Sequence, residues 1–188
     1  HRDLHSFPTR RSSDLTAGKL FFRHGYSEVG INEIIAKAET AKASFYQHYP
    51  SKEALCEAWL SDVHDRSEVN RADILGSEQS PAEKIKAYFD ELEVFMVESD
   101  FRGCPYSNTG AVSSGECTGI LEQIQGHKES IRQFFREICL AETNDPGRSQ
   151  SLGDRIFLLY SGATTECQNL KEIWPVEVAR EASLELFA

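Results

Sequence analysis

Lys42, Ala43, Tyr46 and Gln47 fall at i, i+1, i+4 and i+5, a spacing that on a helix gathers them on one face. A cation, a small residue that permits close approach, and two long hydrogen-bonding side chains suit contacts with phosphate oxygens and base edges. Ala41, Phe45 and Tyr49 alternate with them as an inward set. On spacing alone, three amphipathic helices that merely pack together fit as well as a helix laid in a DNA groove.

The other chemistry-bearing residues form no such constellation. Cys56, Cys104, Cys117, Cys139 and Cys167 are an odd set without a C-x-x-C pair, which argues against a disulfide framework and a zinc site and for reduced thiols in a cytoplasmic protein. His127 lies at no metal-ligand spacing, so neither a metal nor a cofactor is expected. No nucleotide loop, Ser/His/Asp set or pair of catalytic carboxylates is apparent, and the chain is not expected to be an enzyme. Cys104 stands in Arg102-Gly-Cys-Pro-Tyr106. A nearby Arg and a Gly/Pro-marked loop favour a reactive thiolate there, making Cys104 a candidate thiol sensor against the plainer reading of a small buried residue.

The elements that must position these residues are helices. Ala17, Leu20, Phe21 and His24 give a first helix, with Gly25 at its C-cap position. Ile31, Ile34, Ile35 and Ala38 repeat the spacing after Gly30. Ala41 to Tyr49 continue it past a break at Glu39-Thr40, and Pro50 ends it. Ser51 reads as the N-cap of a helix carrying Leu55, Trp59, Leu60 and Val63. Ser80-Pro81 opens another, with Ile85, Tyr88, Phe89, Leu92, Phe95 and Met96 on one side. Gly103 to Gly115 reads as a loop or a broken short helix. Ile120 to Glu142, Ser151 to Lys171 and Pro175 to Phe187 supply the rest. No strand pattern or internal repeat is present, so the expected fold class is all-α.

Composition bounds the partners. The chain has 188 residues, of which 40% are hydrophobic and 27% charged. Its longest apolar run, Ile156 to Tyr160, is far too short to span a membrane. The net charge of −10 would ordinarily argue against nucleic acid, because phosphate neutralisation needs clustered cations. That charge is unevenly placed. Residues 16–60 balance Lys19, Arg23, Lys37, Lys42 and Lys52 against Glu28, Glu33, Glu39, Glu53 and Glu57, and the acidic surplus lies downstream. Two parts with different partners are implied.

Residues 1–15 lack the helical periodicity that begins at Leu15, and residues 4–15, Leu-His-Ser-Phe-Pro-Thr-Arg-Arg-Ser-Ser-Asp-Leu, resemble one reading frame of a sequencing-library adapter. This segment is expected to be non-native, with the natural start of the first helix missing.

Three stretches together carry a family resemblance: Lys19-Leu-Phe-Phe-Arg-His-Gly-Tyr26, Gly30-Ile-Asn-Glu-Ile-Ile35, and Ala41-Lys-Ala-Ser-Phe-Tyr-Gln-His-Tyr-Pro-Ser-Lys-Glu-Ala-Leu55. They resemble the N-terminal domain of the tetracycline-repressor (TetR) family of bacterial transcription regulators. The resemblance implies a helix-turn-helix domain over 16–60 and a helical ligand-binding and dimerisation domain over 61–188. It further implies a homodimer on palindromic double-stranded operator DNA, released by an unknown small-molecule inducer. Lys42, Ala43 and Ser44 match the family's base-reading positions, and Tyr46, His48 and Lys52 its phosphate contacts. Gln47 shares that face. Asn32 opens the preceding helix as a further phosphate contact, and Thr40 stands where its hydroxyl could cap the recognition helix. Glu39 departs from the glycine usual in the family's turn, which implies either a different turn or a strained one.

In the C-terminal part, Phe89, Phe95, Met96 and Phe134, with Phe135 and Phe157, either line an inducer cavity or form plain core. Ser161, Gly162 and Ala163 permit close helix approach beside Ile156, Leu159 and Tyr160, which points to dimerisation through the last two helices. The resemblance favours a repressor; a helical protein adaptor and a small-molecule enzyme are the rival readings.

Overall fold

The computed structural model describes residues 7–113 and 117–187, with side-chain environments from Ser13 onward. Among the described residues all regular structure is helical: α1 (Phe7–His24), α2 (Ile31–Lys37), α3 (Lys42–His48), α4 (Lys52–Gly76), α5 (Pro81–Glu98), α6 (Pro105–Val112), α7 (Thr118–Thr143), α8 (Pro146–Leu170) and α9 (Trp174–Glu185). No described helix is long and apolar enough to cross a membrane. The chain divides into two compact units, one of His1–Asp65 with Pro105–Gln125 and one of Arg66–Cys104 with Gly126–Ala188.

In the first unit α1 packs on α2 and α3 around Ala17, Leu20, Phe21, Ile34, Phe45 and Leu55, all buried. A Cβ on Gly18 would stand 2.8 Å from the Trp59 ring, so the glycine is what lets α1 and α4 approach here. Gly25 takes φ +90° at the end of α1, a conformation that costs glycine little. The helix begins earlier than the sequence pattern suggests, at Phe7 rather than near Leu15. Pro8 falls in the first turn, where its missing N–H is no loss, and nothing between Thr9 and Asp14 breaks a helix. Residues 4–6 of the adapter-like segment lie outside the described residues.

Ser51 caps α4 as expected, its hydroxyl accepting from the Ala54 N–H at 3.0 Å. The helix then runs 25 residues, well past the apolar positions that announce it. Pro105–Val112 is a short helix rather than a loop; residues 114 and 115 of that stretch lie outside the described residues. The buried Tyr106 on it donates its hydroxyl to the Leu60 carbonyl.

The second unit buries Ile85, Phe89, Met96, Phe135, Ile138, Ile156 and Val176 among α5, α7, α8 and α9. α5 opens with Pro81 after a reciprocal capping box of Ser80 and Glu83. α8 starts at Pro146, earlier than Ser151, because the Asp145 carboxylate accepts from the Gly147 and Arg148 N–H groups. A Cβ on Gly153 would lie 2.7 Å from the Arg136 backbone nitrogen, so α7 and α8 meet backbone to backbone there. Beside that contact Asp154 accepts from Arg132 at 2.7 and 2.8 Å and from Arg136 at 2.8 and 3.1 Å.

Candidate nucleic-acid interface

α2 and α3 are seven residues each, joined by a turn at Ala38 to Ala41. Phe45 and Tyr49 anchor α3 in the core, and Tyr49 donates its hydroxyl to the Asp14 carboxylate on α1. That anchoring leaves Lys42, Ala43, Tyr46 and Gln47 together on an exposed face, with Ser44 and His48 half-buried at its margins. Asn32 is exposed at the start of α2. The face therefore combines an ammonium, a phenol and a carboxamide around a methyl-sized gap.

Two assignments in the turn are corrected. Ala41, expected inward, is the exposed N-cap of α3 and makes no side-chain cap bond. Thr40 is the buried one, and its hydroxyl donates backward to the Ala38 carbonyl at 3.3 Å rather than capping α3. The chain turns by placing Glu39 at φ +52°, a left-handed conformation that costs a non-glycine residue about 1–2 kcal/mol. Of the two alternatives for this turn, the strained one is realised.

The Lys52 ammonium, expected at a phosphate, is engaged within the chain. Its ammonium donates to the Tyr26 and Val29 carbonyls at 2.9 and 3.1 Å and lies 4.4 Å from the Tyr26 ring centroid. It thereby closes the α1–α2 loop onto the start of α4. Burial, with smaller contributions from Cys117, Cys56 and Glu53, pushes the Tyr26 phenol up to about 12, so the ring faces Lys52 as a neutral π-surface. The sequence offered no sign of this pairing, because a loop tyrosine and a lysine 26 residues apart share no helical register.

In the second unit Phe89, Met96 and Phe134 are core, whereas Phe95 is turned outward at 38% exposure and leaves the set of inward aromatics. Ile156 and Ala163 are buried within the chain, and Leu159 and Tyr160 pack against the same core. Ile156 and Ala163 therefore have little surface to offer a second subunit, while Leu159 and Tyr160 keep part of theirs. The outward positions are Leu158 at 67% exposure and Gly162, whose surroundings are open. Cys104 is half-buried, and the Lys128 ammonium stands 3.5 Å from its sulfur. Its loop places Asp100 and Phe101 in left-handed conformations, and Lys171 donates to both of their carbonyls at 3.3 and 3.2 Å. Among the described residues no cluster of His, Cys, Asp and Glu could hold a metal.

Residues 16–59 match the model of the bacterial regulatory proteins of the tetR family. The chain is 31% identical over 112 residues to the HTH-type transcriptional regulator LmrA of Bacillus subtilis, a match covering 58% of this chain and 60% of LmrA. It is 30% identical over 181 residues to the HTH-type transcriptional repressor NemR of Escherichia coli, covering 91% of this chain and 89% of NemR. The fold superposes on SCO4454, a TetR-family regulator from Streptomyces coelicolor, with a TM-score of 0.80 at 20% identity, over 96% of this chain and 92% of that one. With a helix-turn-helix seated on α1 and a repressor matched along nearly its whole length, the chain belongs to the tetR family of bacterial regulatory proteins.

Proposed function

We propose that the protein is a one-component transcriptional repressor that grips a palindromic operator as a homodimer and lets go when a small molecule occupies its C-terminal helices. Residues 16–60 serve as the DNA-binding domain and 61–188 as the ligand-binding and dimerisation domain. The observation that carries this reading is the exposed α3 face of Lys42, Ala43, Tyr46 and Gln47, held from behind by buried Phe45 and Tyr49. Lys42, Ala43 and Ser44 read base edges, while Tyr46, His48 and Asn32 hold phosphates. Lys52 acts by fixing the loop beside this surface.

Two recognition helices must stand about 34–36 Å apart to enter successive major grooves. A ligand that favours another spacing releases DNA without touching it, by differential affinity for the two states. The subunits join through the outward faces of α8 and α9, where Leu158, Gly162, Trp174 and Val178 are exposed.

A second reading of the signal rests on the Lys128–Cys104 contact. The ammonium stands 3.5 Å from the half-buried sulfur, which places a cation where an electrophile would meet the thiol. Selection of operator fragments from genomic DNA with the purified protein tests the main reading: enrichment of an inverted repeat supports it, and indifference to duplex DNA at low salt favours a protein adaptor. Cys104→Ser tests the second. It should retain operator affinity and lose release by quinone, whereas equal release of mutant and parent makes Cys104 a packing residue.

A further inference from the structure

Arg71 is a buried cation that the DNA-binding reading leaves without a task. Its side chain is 2% exposed, yet the paired Glu68 is 46% exposed. Taking a guanidinium out of water is costly unless its donors are satisfied, and a half-solvated carboxylate offsets that cost only in part. Nη2 donates to Glu68 and, at 2.9 Å, to Ser130; Nη1 reaches the Tyr88 hydroxyl at a long 3.4 Å. These partners use three of the five N–H groups a guanidinium carries.

The surroundings are aromatic. Tyr88 stacks on Tyr160 with centroids 5.0 Å apart and meets Phe134 at 4.7 Å and Phe135 at 5.5 Å. The two tyrosines are held together by that stacking of their rings. The Tyr88 oxygen accepts from Arg71, so its own proton can be presented to another acceptor. Burial drives the Tyr160 phenol well above its ordinary value, although the residue keeps accessible surface.

We propose that Arg71, Tyr88 and Tyr160 form the head-group site for the effector, and that the effector is an aromatic carboxylate. The proposal rests on the ligand-controlled regulator described above and names its ligand class. The carboxylate replaces Glu68 on the guanidinium, Glu68 moves into the water it already touches, and the Tyr88 proton is donated to the second oxygen. The ligand's ring joins the Tyr88–Tyr160 stack, where offset aromatic contacts are favourable.

The test is calorimetric titration of the full chain, without DNA, with benzoate and cinnamate and with their neutral isosteres benzamide and cinnamamide. At least one carboxylate should saturate one site per chain, with its amide about tenfold weaker or more, as loss of a charge-assisted bond requires. Arg71→Gln should abolish that preference. Because removing Arg71 can also unfold the unit, Tyr88→Phe and Tyr160→Phe are measured beside it; each keeps the ring, and Tyr88→Phe should weaken the carboxylate about tenfold while sparing the amide. Absence of carboxylate binding at millimolar concentration, equal binding of acid and amide, or parental affinity in Tyr88→Phe overturns the proposal. Operator binding is followed separately: a carboxylate that binds through Arg71 without releasing DNA upholds the site and removes the regulatory reading.

Discussion

The Lys52 ammonium lies 2.9 Å from the Tyr26 carbonyl oxygen and 4.4 Å from the centre of the same residue's ring. One cation thus satisfies a loop carbonyl and caps the aromatic face beside it, and the α1–α2 loop is stapled to the first turn of α4. On the proposed DNA-binding reading its contribution is therefore indirect, whereas the exposed Lys42 would meet DNA itself.

Lys42→Ala and Lys52→Ala should therefore separate. Lys42→Ala is expected to leave the melting temperature unchanged, alter base preference and cost roughly 1–3 kcal/mol of specific binding. Lys52→Ala is expected to lower the melting temperature by several degrees and weaken binding to all sequences through a loosened loop. Melting curves and operator titrations on both variants check this; a Lys52→Ala protein with parental stability and a salt slope reduced by about one unit would instead make Lys52 a direct phosphate contact.

Glu39→Gly should stabilise the protein by about 1 kcal/mol, since glycine occupies φ +52° without the Cβ clash that glutamate bears. Part of that gain is offset by the greater freedom of glycine in the unfolded chain. Denaturant midpoints compare the two; a destabilised variant would mean that the Glu39 side chain contributes more than its backbone costs.

Acid should loosen the α7–α8 contact. The Arg132 and Arg136 guanidiniums hold the Asp154 carboxyl far below the usual carboxylate range. A folded-state value below the unfolded one means stability that is complete above about pH 4 and is lost as pH falls toward the folded value. Asp154→Asn should lower the melting temperature at pH 7 by a few degrees, and the difference should shrink steadily below pH 4. A constant gap from pH 7 to pH 2 would remove the ion pairs as its source.

Leu158→Glu should turn a dimer into a monomer by sedimentation at micromolar concentration with the helical signal intact, because Leu158 is outward on α8 and contributes little to its own core. Ile156→Ala, by contrast, should cost about 2–5 kcal/mol of stability as a fully buried aliphatic truncation. A dimeric Leu158→Glu protein would move the interface elsewhere.

Much of the exposed α3 face and its buried backing was legible in the sequence, since Phe45, Tyr49, Lys42, Tyr46 and Gln47 obey one helical period. The turn was less so: Ala41 and Thr40 exchange inside and outside because the left-handed Glu39 resets the phase between α2 and α3. The second half of α4 gave no apolar stripe, so its length was hidden. Arg71 was invisible for a stronger reason. A cation in a polar run reads as solvent-facing, and only the fold brings Tyr88 and Ser130, 17 and 59 residues away, against it.

The loop before Cys104 has a mechanical consequence. Asp100 and Phe101 hold left-handed backbones in succession, Lys171 holds a third at the end of α8, and the Lys171 ammonium is the clasp across the two loop carbonyls. Such conformations cost roughly 1–3 kcal/mol each and persist only while their surroundings enforce them. Undoing the clasp would let several torsions relax at once, so the segment should open as a latch, all or nothing, rather than fray residue by residue. Amide hydrogens of the loop and of the last turn of α8 should then exchange with a single shared opening free energy, and Lys171→Met should speed them together.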